Sequence, residues 1–73
     1  MEIKDISGVY NIGKRRFIVA GEKIAENDYK WDVDEVDENN KAFQGALRFF
    51  FLTEGIPYMS EVFDHIMEAV VGR

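Results

Sequence analysis

Residues 26–40 hold seven carboxylates (Glu26, Asp28, Asp32, Asp34, Glu35, Asp37 and Glu38) and one cation, Lys30. Carboxylates spaced along extended backbone can imitate a nucleic-acid strand and occupy the basic groove of a protein that handles nucleic acid. Asp32 and Asp34 would share a strand face about 6.6 Å apart, because each strand residue rises about 3.3 Å. That spacing lies near the phosphate repeat of a single nucleic-acid strand. Asp28, Asp32, Asp34, Glu35, Asp37 and Glu38 are therefore the candidate partner-binding residues. A plainer role for them is a solvated strand face and turn, kept charged for solubility and to discourage edge pairing. A calcium loop does not fit: starting from Asp32, the fifth position is Val36, and Asp37 stands where the motif needs glycine.

A second cluster, Lys14-Arg15-Arg16, stands beside Tyr10 and Phe17, a combination that could contact phosphate with bases stacked nearby. Three cations are a small footprint, and a net charge of −5 repels a polyanion overall, so direct nucleic-acid binding is not expected. The alternative is a solubilised turn that pairs with the chain's own acids. His65 is the single histidine, with Glu61 and Glu68 at helical spacing from it. No second histidine or cysteine completes a metal site, so a surface histidine in helical ion pairs is expected. Ser7 and Ser60 sit near no nucleophile elbow or glycine-rich loop. The expectation is a non-enzyme, without cofactor or metal.

The charge is unevenly distributed. Five Lys/Arg against three Asp/Glu give +2 over residues 1–25, one against seven gives −6 over 26–40, and three against four give −1 over 41–73. One short segment owns the acidity. The N-terminus, Met-Glu-Ile-Lys-Asp, begins with charges and leads into no apolar stretch, which reads as no signal peptide. Apolar runs reach only four residues, as in Phe49 to Leu52, far short of the ~20 residues that span a bilayer. A cytoplasmic protein with no membrane contact is the expectation. With no cysteine to form disulfides, apolar packing has to supply the stability, and 47% hydrophobic residues with six Phe are sufficient for a globular domain.

These candidates need elements to position them. Val9-Tyr10-Asn11-Ile12, a Gly13-Lys14 turn, and Arg15 to Ala20 read as a hairpin. Gly21 suggests a bulge or bend in the second strand. Glu26-Asn27-Asp28 has turn chemistry. Tyr29, Trp31 and Val33 then alternate with Lys30, Asp32 and Asp34, giving a third strand with an apolar and a charged face. Val36 falls out of that phase, so the strand is expected to bulge or end near Glu35. Beyond it, Asn39 or Asn40 can cap a helix whose Phe43, Ala46, Leu47, Phe50 and Phe51 share a face. Gly55 would stop this helix, and Pro57 would open a second, running to about Val71.

The expected fold is a single α+β domain over residues 1–73, a three-stranded antiparallel meander followed by an α-helical hairpin packed on one face. The segment Arg48 to Thr53 would also make a good strand, and the alternative is four strands plus one C-terminal helix. On the helical reading, Phe49 and Leu52 fall outside the core and, with Phe63, mark an oligomer contact.

Function at this level is an expectation of class. The first is a small acidic protein-binding module that inhibits or regulates a larger nucleic-acid-handling protein. Small inhibitors of this kind are often encoded by phages and mobile elements, an analogy of size and charge. The second is a homo-oligomeric structural or assembly subunit, with a homodimer as its simplest form. The third is a nucleic-acid contact through the basic hairpin.

Overall fold

Gly13 and Lys14 close the first hairpin. In the computed structural model, which describes residues 7–72, β1 (Gly8–Ile12) turns directly into β2 (Arg15–Lys23), with Ile12 opposite Arg15. Gly13 takes φ +62° at the first central position, where a tight II′ turn calls for glycine because a Cβ there is strained. The chain reverses again through residues 24–27 into β3 (Asp28–Val36), and the Ile24 N–H donates to the Asp28 carbonyl across the reversal. The charged stretch at residues 1–5 and Arg73 lie outside the described residues.

β2 and β3 pair without a break from Lys23 opposite Tyr29 to Arg16 opposite Val36. The expected bulge at Gly21 is absent. That glycine sits opposite Trp31, and a Cβ built on it would fall inside the contact distance of the indole ring. Gly21 is therefore the space into which the largest side chain packs, and the strand needs no bend to use it. The strand ends at Val36, one residue past Glu35, as the loss of phase there predicts; no bulge intervenes, and Glu35 and Val36 are both buried. Glu35 simply takes an inward position in phase with Tyr29, Trp31 and Val33.

The helical hairpin is replaced by a strand and one helix. Residues Arg48–Glu54 form β4, which pairs antiparallel with β3 and places Phe51 opposite Trp31. The sheet has four antiparallel strands in the order β1-β2-β3-β4, and α1 (Met59–Val71) follows. This is the four-strand alternative. The physical reason is that spacings of three and four across Phe43 to Phe51 coexist with a spacing of two across Phe49, Phe51 and Thr53. Pairing decides between them: without β4, residues 28–34 of β3 would leave their outer backbone groups unpaired beside the core.

Two residues expected to bound a helix serve the strand reading. Asn40, with φ +63°, shapes the turn after β3, and Gly55, with φ +81°, turns the chain out of β4. Pro57 precedes the helix by two residues. Tyr58 is the N-cap, and its backbone N–H donates to the Glu61 carboxylate at 3.3 Å.

The core is the layer between the sheet and α1. Tyr10, Phe17, Val19, Tyr29, Trp31, Val33, Leu47 and Phe51 meet Val62 and Ile66 there. Trp31 is the largest fully buried side chain, and its indole N–H donates to the Thr53 hydroxyl at 2.9 Å. That bond matters, because an unpaired N–H in this layer would cost roughly 1–3 kcal/mol.

Candidate functional site

The alternation of β3 sorts its residues onto two faces. Tyr29, Trp31, Val33 and Glu35 point toward α1, and Lys30, Asp32 and Asp34 point the other way; Val36, at the end of the strand, is itself buried. No described element covers that second face, which we call the open face. The two candidate carboxylates of the ridge, Asp32 and Asp34, are both on it and half-exposed. Asp28 lies on the same face at the start of the strand, exposed, opposite Glu54.

Their charges are not equally free. Asp34 accepts a hydrogen bond from Arg48 Nε at 2.8 Å, so its charge is offset by the neighbouring strand. Among the described residues Asp32 has only Lys30 Nζ at 3.9 Å, an exposed pair too long for a hydrogen bond and of little energetic weight. Lys30 also sits over the Phe50 ring, 4.8 Å from its centroid. Of the three candidate carboxylates on this face, Asp28 and Asp32 are thus the ones that remain available to a partner.

Glu35 does not belong to the ridge. It is 6% exposed, and both its oxygens accept from Arg15, Nε at 2.8 Å and Nη2 at 2.7 Å. The Leu47 backbone N–H adds a third bond at 3.1 Å. A bidentate guanidinium is among the few partners that make a carboxylate tolerable in such a site. Hydrogen bonding to Arg15 holds the Glu35 carboxyl below its ordinary pKa, against the opposing effect of burial, and the same contact raises that of Arg15.

This pair also removes Arg15 from the basic hairpin. Arg16 is engaged as well, donating to the Glu38 carbonyl at 3.2 Å and to Asn40 Oδ1 at 2.9 Å. Lys14 alone of the three has no such partner among the described residues. The hairpin and the turn after β3 border a cleft of about 460 Å³ lined by Lys14, Arg15, Arg16, Glu35, Asp37 and Phe43, among others. Among the described residues, Arg15 and Glu35 form the ion pair of this cleft. Asp37 accepts the backbone N–H groups of Asn39 and Lys41 at 2.8 and 3.0 Å, which lowers its pKa and makes it a turn residue. Glu38 is exposed beside it.

The aromatic candidates also divide by face. Phe49 points inward and packs against the core, and Phe63 meets Tyr10 edge-to-face at 4.9 Å. Leu52 is on the open face with 58% of its surface exposed, as is Phe50, which the helical reading had assigned to the core. The signal for Phe50 was its two-residue spacing from Leu52, outweighed by the helical spacing from Leu47. His65 stacks on Phe51 at 4.1 Å. Among the described residues no three of His, Cys, Asp or Glu gather where they could hold a metal ion. No helix among them is long and apolar enough to cross a membrane.

No protein-family model, no curated protein and no solved structure matches this chain, which leaves its own residues to carry the functional reading.

Proposed function

We propose that this chain is a non-catalytic module that binds a basic protein through the open face of its sheet. One observation carries the reading: Phe50 and Leu52, each 58% exposed, stand beside Asp32 on a face that no described element covers. Two adjacent apolar groups flanked by Lys30, Asp32, Arg48 and Glu54 are what a partner surface requires. Asp28 and Asp32, with the net charge of −5, would steer a positively charged partner toward that face. Surfaces of that sign are typical of nucleic-acid-binding proteins, and the chain would act on such a protein as an inhibitor or regulator. Because Asp34 is tied to Arg48, the proposal relies on mixed apolar and acidic contacts, with no need for a phosphate-like repeat.

The test is capture of proteins from a host lysate by the wild-type chain and by two variants, Asp28→Lys with Asp32→Lys, and Phe50→Ser with Leu52→Ser. All three should share one far-UV circular dichroism spectrum, because these side chains lie outside the core. The expected result is a basic protein retained by the wild type, released by salt and lost from both variants. Retention of the same protein by the charge variant would refute the reading.

A further inference from the structure

We infer that two copies of this chain join through the free edge of β4 to form a continuous eight-stranded sheet, centred on Phe51 of each copy. β4 ends the sheet order and pairs with no second strand among the described residues. Its backbone parity can be fixed from the bonds at its two ends. The Glu35 N–H donates to the Leu47 carbonyl at 2.9 Å, and the Gly55 N–H donates to the Asn27 carbonyl at 2.6 Å. Antiparallel ladders alternate, so residues 49, 51 and 53 also bond toward β3. The N–H and C=O groups of Arg48, Phe50, Leu52 and Glu54 are left pointing to the free edge.

A second β4 running antiparallel satisfies all of these groups in one register. Centring on Phe51 puts Arg48 opposite Glu54 of the second copy and Phe50 opposite its Leu52, and the two-fold axis repeats both pairs. Opposite charges then meet at each end, and apolar side chains meet between them, on the same face. Shifting the register by two residues either way sets Arg48 against Leu52 or Glu54 against Phe50, and shortens the ladder. Charge complementarity and full overlap select the same alignment.

Proteins protect edges with short strands, bulges, proline or a central charge. β1, the other edge, is short at five residues. β4 has seven, with no Gly or Pro and no charge between Arg48 and Glu54. Because the axis stands perpendicular to the sheet, both helices remain on one side and the open faces merge. The pairing needs no third protein and stands apart from the binding reading above.

Sedimentation velocity on the purified full chain should give a dimer at micromolar concentration. Leu52→Pro removes an N–H that β3 does not use, so the fold should survive while dimer affinity falls at least about 30-fold, for two hydrogen bonds lost across the axis. Register is read by cysteine pairs, since the chain has no native cysteine. Opposed residues about 5.5 Å apart at Cα suit a disulfide. A mixture of Phe50→Cys and Leu52→Cys chains should therefore oxidise to the mixed disulfide in preference to either homodisulfide. A wild-type monomer at all concentrations, or homodisulfides in excess, would overturn the inference. A Leu52→Pro chain that keeps both its fold and the wild-type dimer would do so equally.

Discussion

The two faces of β3 run the same backbone through opposite environments. On the inner face Trp31 and Val33 are essentially excluded from solvent, and the one carboxylate there, Glu35, is fixed by three hydrogen bonds. On the open face Asp32 is half-exposed with a single loose cation 3.9 Å away. The difference teaches that burial is assigned by position in the alternation, and that a charge follows its position and takes partners accordingly. A buried carboxylate needs dedicated donors, because leaving it unpaired costs several kcal/mol. A solvated one needs none, and so remains available to another molecule.

Predictions that break this contrast begin with the largest. Trp31→Ala empties the centre of the inner face, and large aromatic truncations of this kind cost about 3–5 kcal/mol. In so small a domain that should abolish most folding, read as loss of the cooperative thermal transition. Gly21→Ala acts on the same ring from the opposite strand. Its methyl group would overlap the indole, and overpacking of this sort costs about 1–3 kcal/mol. The urea midpoint should fall accordingly, and Gly21→Ala combined with Trp31→Leu should recover part of the loss.

Arg15→Ala leaves Glu35 enclosed without its guanidinium. Because Arg15 itself is partly exposed, water can reach the site, and a loss of about 2 kcal/mol is expected, below the roughly 3–5 kcal/mol of a fully buried pair. The pair also sets a pH dependence. The folded-state pKa of Glu35 lies below its unfolded value, so its stabilising contribution is complete above about pH 4.3 and is lost as pH falls through the lower folded value. Glu35→Gln should flatten the acid limb of the urea midpoint against pH. Asp32→Asn, on the open face, should change the unfolding free energy by less than about 0.5 kcal/mol, because exposed pairs contribute little.

The sequence displays this contrast only in part. The first hairpin, the alternation of β3 and the C-terminal helix follow from local signals: a glycine turn, a period of two, and apolar spacing around Val62 and Ile66. The segment from Phe43 to Leu52 does not, because its aromatic residues satisfy helical and strand spacing together. Its state is decided by β3, at least fourteen positions away along the paired register. Glu35 was illegible for a related reason. Its charge placed it with the acidic ridge, and only the position of Arg15, brought across the sheet by the hairpin, makes an inward carboxylate stable. Phe50 carries the opposite lesson, a core residue type placed on the surface by the parity of its strand.

Carboxyl footprinting of the complex with the captured basic protein tests most directly whether the open face is the binding surface. Bound chain should show Asp28 and Asp32 protected from modification, with Glu61, Asp64 and Glu68 on the exposed side of α1 still labelled. Protection of the helical acids, with Asp28 and Asp32 labelled as in the free chain, would contradict the account.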